Sequence, residues 1–487
     1  MEALEPLHKQ AKAEPVAAPE EGQLQLHAVP ALTRRELFVL LRLAGPVERV
    51  VQVVDLFPLK VCKRSPMLRA ALAMAFLARR ALSLSATAPK KVVTLSRGKS
   101  KLFRKGNPLI FAGAVSSTAG NPKRGDVVDV VDGANQNVGW GTYNPDSMYR
   151  VRLLGRGGAA ETNEARVGAA VKALLGAAAS RRRALDLPRA DTDVFRFVNS
   201  EGDGLSGLTV DAFGDVLVCQ ISAVWLESRR AVIEAALLEA YADLTGISDA
   251  RVLWRRAEAR LRQDGWDGEA DEMASGDRFA ATEGGLAYEV DVFGQKTGFY
   301  CDQRDNRAFL GPLCAGKTVL DLYCYSGGFA LNAAKHGASE ARGVDSSATA
   351  VDLARRNAAA NGLDACAFEE ADVSAWLKAS DAQYDVVICD PPKLAPSAKT
   401  LPRATRKYQK INALALGAVK RGGLLLTCTC SSAMTTSGNF LGVVHDAALD
   451  AGRQVTVLRT SGAAADHPIH PAFAEGAYLT AVLLHVH

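Results

Sequence analysis

Residues 317–345 read KTVLDLYCYSGGFALNAAKHGASEARGVD, and this stretch decides the fold. An apolar strand pattern ends in Asp321, a glycine-containing loop leads directly into a helix pattern, and the next strand pattern ends in Asp345. Glycine lets a backbone approach a ligand closely, and the start of a helix offers free N–H groups. The loop is not G-x-G-x-x-G, so it lacks the dinucleotide fingerprint.

The same alternation of strand and helix patterns continues from about Val290 to the end of the chain. It predicts a doubly wound, parallel α/β sheet with short connections, in which ligands bind at the carboxyl ends of the strands. The first three strand patterns end in Asp321, Asp345 and Asp372. A carboxylate after each of three strands suits a nucleoside with a cationic or neutral tail better than one with phosphates. Helix capping explains any one of them alone, but the ordered series favours a nucleoside, with Asp345 on the ribose and Asp372 on the adenine.

The fourth and fifth strand patterns carry the candidate reactive groups. The fourth ends in Asp390-Pro391-Pro392, where both prolines fix φ and present the carboxylate rigidly. Amine methyltransferases commonly place an aromatic residue after these prolines, and Lys393 stands here instead, which disfavours amine methylation.

The fifth strand pattern ends in TCTCSS, residues 427–432, and a thiolate there can add reversibly to a pyrimidine ring. Strand alternation points Cys428 and Cys430 the same way, so both are candidates, and Cys430 is the closer to the pocket. The alternative is a pair of buried structural thiols. The Cys-x-Cys pair has no second pair at ligand spacing, so no metal site is expected.

Two further regions precede this sheet. Residues 91–155 hold short β-type runs separated by Gly, Asn and Pro, which predict a compact β barrel of five or six strands. Residues 156–289 mix helix and strand patterns and predict a small α+β middle domain, with 263–285 as a loop. The barrel begins with RGKSKLFRKGNP, whose basic cluster is typical of nucleic-acid binding, although a solvated charged loop is the alternative. The basic cluster consists of Arg97, Lys99, Lys101, Arg104 and Lys105.

The composition of the 487 residues, 48% apolar and 23% charged, is that of a globular chain with two to four domains. Nine cysteines without a C-x-x-C pair indicate reduced, intracellular thiols, and no apolar run reaches the roughly 18 residues of a membrane span. The net charge of +5 conceals an uneven distribution. No acidic residue lies between Asp55 and Asp126, whereas fifteen Lys and Arg do, which predicts a polyanionic partner, a targeting segment or both.

Residues 1–90 are predicted to be a largely disordered extension, with no function assigned to 1–66. Within it, 67–91 are rich in Ala and Leu, carry Arg and Ser, lack acidic residues and can form an amphipathic helix. This composition predicts a transit peptide for a chloroplast or mitochondrion, with translation beginning at Met1 or at Met67. The alternative is a helix of a folded domain, which would leave the protein cytoplasmic.

From about Val92 to His487 the chain resembles the RlmI-type class I S-adenosylmethionine-dependent ribosomal-RNA (cytosine-5) methyltransferases with a PUA domain. The resemblance depends on motifs in all three regions: RGKSKLFRKGNPLIFAGAV, NSEGDGLSGLTVDAFGD, GQKTGFYCDQRDNR, LDLYCYSGGFAL, DPPKLAPS, TCTCSSAMT and DHPIHPAFAEGAYL. It implies an N-terminal PUA-like β barrel (91–155), an α+β middle domain (156–289) and a Rossmann-like methyltransferase domain (290–487).

The resemblance also implies the cofactor, the substrate and the site residues. The cofactor is S-adenosyl-L-methionine, and the product is 5-methylcytidine in large-subunit rRNA, with Cys430 as nucleophile and Asp390 contacting the base. The oligomeric state, including a homodimer, stays open. Two alternatives remain: methylation of another RNA atom such as a guanine nitrogen, with both cysteines structural, and a non-catalytic RNA-binding ribosome-assembly factor. The expected cofactor-binding residues are Gln303, Arg304, Asp321, Tyr323, Gly327, Gly328, Phe329, Asp345, Ser346, Asp372 and Asp390.

Overall fold

A computed structural model describes residues 90–157, 164–268, 278–292, 297–395 and 397–487. The predicted extension and transit segment lie outside the described residues, apart from Lys90 and Lys91. No helix of the described part is long and apolar enough to cross a membrane.

The N-terminal domain is a six-stranded sheet with the order β2-β6-β5-β4-β1-β3, in which only the β1–β4 pair is parallel. Alternating apolar residues such as Val93, Val128 and Val151 fill its core. The predicted strands are present, together with β3, and part of the basic cluster lies on a short helix, α1, rather than on a loop. The elements are β1 (Val92–Leu95), α1 (Ser100–Arg104), β2 (Leu109–Phe111), β3 (Val115–Ala119), β4 (Val127–Val131), β5 (Asn137–Tyr143) and β6 (Tyr149–Gly155).

The middle domain packs two long helices against a four-stranded sheet with the order β10-β9-β8-β7. β7, β8 and β9 are antiparallel neighbours, and β10 runs parallel to β9. The Tyr241 ring closes the core between helix and sheet, 5.4 Å from the Phe197 ring centroid. The elements are α2 (Glu164–Ala184), β7 (Val194–Asn199), β8 (Leu208–Phe213), β9 (Val216–Ile221), α3 (Arg230–Thr245), β10 (Arg251–Arg256) and α4 (Glu258–Gln263).

An antiparallel hairpin, β11 (Arg278–Glu283) and β12 (Leu286–Asp291), follows the middle domain. Part of the predicted 263–285 loop is therefore strand, because one face of β11 is buried, including the Glu283 carboxylate that accepts two bonds from Arg307. The predicted domain boundary between residues 289 and 290 falls inside β12. The hairpin packs on the C-terminal domain, where the Tyr288 ring lies 4.9 Å from the Phe299 ring.

The C-terminal domain is a seven-stranded sheet with helices on both faces and the order β15-β14-β13-β16-β17-β19-β18. The doubly wound sheet was predicted correctly for its first five strands, which are parallel. The last two, β18 and β19, add an antiparallel edge. The strands are β13 (Thr318–Leu322), β14 (Glu340–Asp345), β15 (Cys366–Glu370), β16 (Tyr384–Cys389), β17 (Val419–Thr429), β18 (Val455–Ser461) and β19 (Thr480–Val486). The helices are α5 (Arg304–Leu310), α6 (Gly328–Lys335), α7 (Ala348–Ala360), α8 (Val373–Ala379), α9 (Leu401–Gly417), α10 (Ser432–Ser437) and α11 (Phe440–Asp450).

The order of the C-terminal sheet places the candidate site. The chain winds outward from β13 through β14 to β15, and then returns to the other side of β13 with β16 and β17. Such a reversal opens a crevice at the carboxyl ends of the two central strands. The loops that follow β13, β14, β16 and β17 therefore meet at one edge of the sheet.

Candidate active site

The loop between β13 and α6 is tightly coiled. Tyr323, Tyr325 and Gly327 have positive φ angles of 63°, 49° and 84°, which bend the chain sharply between strand and helix. Asp321, only 1% exposed, holds the helix in place by accepting a hydrogen bond of 3.0 Å from the Ala330 N–H. A Cβ atom on Gly327 would lie 2.9 Å from the Phe368 ring, so this loop requires glycine there.

Asp345, at the end of β14, fixes the same loop from the neighbouring strand. Its Oδ2 accepts the Tyr325 N–H at 3.0 Å, and its Oδ1 accepts the Ser347 N–H at 2.9 Å. Ser346 lies between these contacts and is exposed. The structure thus brings the Asp345 carboxylate beside the glycine-containing loop, as the strand spacing predicts.

Three carboxylates at this sheet edge influence one another. Burial raises the pKa of Asp321 to about 8, and the nearby charges of Asp390 and Asp345 act in the same direction. The Ala330 N–H and the Arg307 guanidinium partly offset this increase. Because clustered carboxylates repel each other, a cation placed among them is stabilised. The donor set therefore fits S-adenosylmethionine, whose sulfonium and ammonium groups are cationic, better than an anionic cofactor.

Tyr323 directly follows β13, and Asp372 lies between β15 and α8, at the same edge of the sheet. Asp372 is exposed and caps α8, with its Oδ1 accepting the Ala375 N–H at 2.8 Å. Burial raises the pKa of Tyr323, and the charges of Cys389, Asp372 and Asp345 add to the increase. Tyr323 therefore lies within electrostatic range of both aspartates.

Gln303 and Arg304 are adjacent in sequence but have different surroundings. Gln303, 2% exposed, donates from Nε2 to Asp390 Oδ2 at 3.0 Å and so orients that carboxylate in the crevice. The Arg304 guanidinium instead donates 2.9 Å to the buried Asp466 carboxylate and also contacts the Val194 carbonyl. Arg304 therefore contacts Asp466 and the Val194 carbonyl of the middle domain, whereas Gln303 contacts Asp390.

Gly328 and Phe329 support the loop from behind. A Cβ on Gly328 would approach the Arg307 side chain to 3.2 Å. Phe329 is buried in the core, with the Arg307 guanidinium 5.9 Å from its ring centroid. Both residues shape the start of α6 through packing.

The sequence left open which of the two cysteines at the end of β17 reacts, and the structure distinguishes them by burial. Cys428 is fully buried in the sheet, and burial together with the Asp390 charge raises the pKa of its thiol well above the ordinary value. Cys430 lies just beyond the end of β17 and is half-buried, with Sγ 3.7 Å from the Pro391 carbonyl oxygen. A buried, protonated thiol is inert, whereas a partly exposed one can react.

A hydroxyl network holds the Cys430 turn, and the sequence analysis did not identify it. Thr429 Oγ1 donates to the Tyr408 hydroxyl at 2.8 Å, and this hydroxyl lies 3.0 Å from Ser431 Oγ. Ser431 Oγ also accepts the Ala395 N–H at 3.1 Å, which ties the turn to the segment after Asp390-Pro391-Pro392. Tyr408 comes from α9, so only its placement on the buried face of an amphipathic helix could have indicated it.

Tyr300 is a second residue that sequence reasoning missed. Its ring packs edge-on against the Tyr325 ring with centroids 5.0 Å apart. Burial raises the pKa of Tyr300, and the charges of Asp302, Asp390 and Cys430 contribute further. The half-buried ring therefore packs against the glycine-containing loop, within electrostatic range of Asp390 and Cys430.

The basic cluster of the N-terminal domain is exposed at all five positions. Its three lysines line an open cavity of about 540 Å³, together with Leu102 and Phe111. Arg104 is paired with Asp132 at 2.8 Å, which reduces its availability to an external anion. Lysines beside apolar and aromatic side chains suit a nucleic acid, which offers phosphates and bases together. The lysines are Lys99, Lys101 and Lys105.

Comparison with known proteins agrees with this arrangement. Residues 93–156 match a family model described as a PUA-like domain, and residues 313–458 match one described as a methyltransferase domain. Ribosomal RNA large subunit methyltransferase I of Shewanella amazonensis is 36% identical over 401 residues, covering 81% of this chain and 99% of that protein. The protein of the same name from Photobacterium profundum is 36% identical over 398 residues, covering 80% and 97%.

Solved structures share the fold. A crystal structure of a protein assigned as a methyltransferase, complexed with SAH, has a TM-score of 0.66 at 21% identity and covers 81% of this chain and 99% of that chain. A protein from Streptococcus mutans assigned as an S-adenosylmethionine-dependent methyltransferase has the same TM-score at 20% identity, with the same coverage.

Proposed function

We propose that this chain, which belongs to the ribosomal RNA large subunit methyltransferase I family, methylates carbon 5 of a cytosine through Cys430. The family and the methyltransferase domain make it an S-adenosylmethionine-dependent methyltransferase of large-subunit rRNA. The proposal concerns the atom that is modified and the residues that act on it. The observation that carries it is the half-buried Cys430 sulfur beside the Pro391 carbonyl of the Asp390-Pro391-Pro392 turn.

The target cytosine must leave its stack to reach this crevice. The Cys430 thiolate then adds to carbon 6, forming a C–S bond, while Asp390 shares a proton with ring nitrogen 3. Electron density shifts to carbon 5, which becomes the nucleophile. Bound S-adenosylmethionine supplies an electrophilic methyl group on a sulfonium. After methylation, a base takes the proton from carbon 5, the C–S bond breaks, and the Cys430 thiolate is regenerated.

Several contacts support these roles. Gln303 holds the Asp390 carboxylate in one orientation through its 3.0 Å hydrogen bond. The hydroxyl network of Tyr408, Thr429 and Ser431 fixes the backbone on both sides of Cys430. We further assign Asp345, Asp372 and Tyr323 to the nucleoside part of the cofactor, and Asp321 with the loop around Gly327 to the cationic part.

The test is a matched pair of cysteine substitutions. With large-subunit rRNA transcript and tritium-labelled S-adenosylmethionine, Cys430→Ala should reduce methylation by at least 10³-fold, whereas Cys428→Ala should retain most activity. Nucleoside mass spectrometry of the product should show 5-methylcytidine. Undiminished transfer by Cys430→Ala, or a methylated guanine in the product, contradicts the proposal.

RNA binding and location complete the proposal. The exposed basic cluster, with its lysine-lined cavity, supports RNA binding by the N-terminal domain. The segment 67–91 has the composition of an organelle transit peptide. A fluorescent fusion of residues 1–91, or of a segment starting at Met67, should enter a chloroplast or mitochondrion. Diffuse cytosolic fluorescence of both fusions contradicts the assignment of residues 67–91 as a transit peptide.

A further inference from the structure

Asn306 contacts Gln303, the residue that orients the Asp390 carboxylate. The two amide side chains are three positions apart at the start of α5, and so they share one face of its first turn. Asn306 Nδ2 donates to Gln303 Oε1 at 2.7 Å, and Gln303 Nε2 donates to Asp390 Oδ2 at 3.0 Å. Asn306 is 3% exposed and Gln303 is 2% exposed. This amide pair therefore forms a buried line of hydrogen bonds from α5 to the Asp390-Pro391-Pro392 turn.

The other end of this line is the backbone at the end of β18. Asn306 Nδ2 also donates to the Gly462 carbonyl at 3.2 Å, and the Ser461 hydroxyl donates to Asn306 Oδ1 at 2.8 Å. An amide group can turn over and exchange its nitrogen with its oxygen, so its partners decide its direction. A backbone carbonyl only accepts, and Gly462 therefore requires the nitrogen of Asn306 on its side.

The direction of the Gln303 amide follows from that of Asn306. If Gln303 turned over, its nitrogen would meet the Asn306 nitrogen, and its oxygen would meet the Asp390 carboxylate. Both contacts would then bring like groups together in the buried interior, where an unpaired donor or acceptor loses its hydration without compensation. The Gly462 carbonyl thus fixes, through two amides, which group faces Asp390 Oδ2.

We propose that Asn306 is a positioning residue for methyl transfer, because it keeps the Gln303 N–H directed at Asp390 Oδ2. This inference rests on the proposed function, which takes Asp390 as the group that contacts the base. An oxygen that accepts a hydrogen bond is the poorer place for a proton. The proton that Asp390 shares with ring nitrogen 3 of the cytosine is therefore carried by Oδ1, and the same arrangement is present before each base enters.

The experiment measures kcat of the full-length protein with saturating large-subunit rRNA transcript and S-adenosylmethionine, from about pH 6 to about pH 8.5. Asn306→Asp has nearly the same shape but loses both N–H donors, so kcat near pH 8 should be about 10- to 100-fold below that of the wild type. A proton returns one donor to this site, so the ratio of variant to wild-type kcat should rise as the pH falls. Asn306→Ala brings no titratable group into the core, so its kcat should be low at every pH.

The ratio removes the titration of groups that all variants share. Around Gln303 and Asp390 these groups are Cys428, Cys430, Tyr300, Asp302 and Asp321. The affinities for rRNA and for S-adenosylmethionine should stay within about twofold of the wild type, because Asn306 acts on Asp390 rather than on binding. Loss of cofactor affinity with an unchanged kcat overturns the inference.

Asn412→Asp is the matched control. Asn412 is a fully buried asparagine of α9 that likewise donates to a backbone carbonyl, that of Tyr408, and accepts from a hydroxyl, that of Thr427. Asn412→Asp therefore places the same group in a similar setting, and its kcat relative to the wild type should not change with pH. An equal recovery in acid by Asn412→Asp, or a ratio for Asn306→Asp that does not change with pH, overturns the inference.

A double variant tests whether Asn306 acts through Gln303. In a Gln303→Ala background, Asn306→Asp should change kcat by less than about twofold, because the intermediary is already absent. A loss in this background as large as in the wild type overturns the inference. Nucleoside mass spectrometry of the wild-type product separates the two proposals, since a product other than 5-methylcytidine overturns the proposed function, whereas the kcat ratios test the role of Asn306.

Discussion

Replacing Asp321 with asparagine should make the protein more stable at neutral pH. Burial raises the pKa of Asp321 to about 8, so the folded protein holds a proton that the unfolded chain has lost above its ordinary pKa of 3.8. The stabilisation from this proton is complete below pH 4 and disappears as the pH rises toward 8. At pH 7, which lies about 3 units above the pKa of 3.8 in the unfolded chain and still below the folded pKa, the stabilisation lost relative to acid pH is roughly 4 kcal/mol.

Asparagine is neutral at every pH and can still accept the Ala330 N–H through its amide oxygen. The free energy of unfolding, measured with urea at pH 5, 6, 7 and 8, should be higher for Asp321→Asn than for the wild type. This difference should grow by about 1.4 kcal/mol per pH unit. The two proteins should converge near pH 4. A difference that does not change with pH, or a wild type whose relative stability increases with pH, refutes the reasoning.

The same proton provides a second readout with the cofactor. A cation bound beside Asp321 favours its carboxylate form, so S-adenosylmethionine binding near pH 7 should release a proton. Calorimetry in two buffers with different ionisation enthalpies detects this release in the wild type. Asp321→Asn should bind more weakly and release none, and equal proton release by both proteins contradicts the assignment of Asp321 to the cationic part of the cofactor.

Two further substitutions test the loop and the ring beside it. Gly327→Ala combines a φ of 84° with a Cβ 2.9 Å from Phe368, and should cost about 2–4 kcal/mol of stability and at least tenfold in S-adenosylmethionine affinity. Gly337→Ala has the same φ with open space around the Cβ, so it should cost only about 1 kcal/mol, and equal losses would contradict the steric argument. Tyr300→Ala should raise the KM for rRNA about 5- to 100-fold, because the ring that stacks on a base is lost. Tyr300→Phe keeps the ring and should have a KM near that of the wild type. A KM of Tyr300→Phe as high as that of Tyr300→Ala would assign the role to the hydroxyl instead.

The sheet and its carboxylates were predictable because they follow from local patterns. A parallel strand must end at the ligand-binding edge of the sheet, so Asp345 and Asp390 could be placed there from the chain alone. Asp372 was predictable as well, although its capping bond to Ala375 shows why a carboxylate after one strand alone is a weak indication. The order of the strands in the sheet thus determines the order of these carboxylates along its edge.

The remaining parts depend on contacts between distant segments. The family resemblance implies that Arg304 lines the cofactor pocket, and only the folded chain shows that its guanidinium donates to Asp466, 162 positions later. Burial separates Cys428 from Cys430, and that depends on where β17 ends. Tyr300 precedes the first strand of the sheet, and only the folded chain brings it to Tyr325.

The distance between the N-terminal domain and the crevice is set by attachments to both of the other domains, of which two show how they work. One is Asp264, which accepts hydrogen bonds from Asn144 and Arg152 of the N-terminal domain. The other is the segment between β18 and β19, whose Ala472 carbonyl accepts a bond of 3.2 Å from Asn107. Two attachments on different elements resist rotation better than one. If RNA contacts the basic cluster and Cys430 together, as we propose, it must match a fixed span, and selection among RNA sites then depends on the shape of the RNA as well as on its bases.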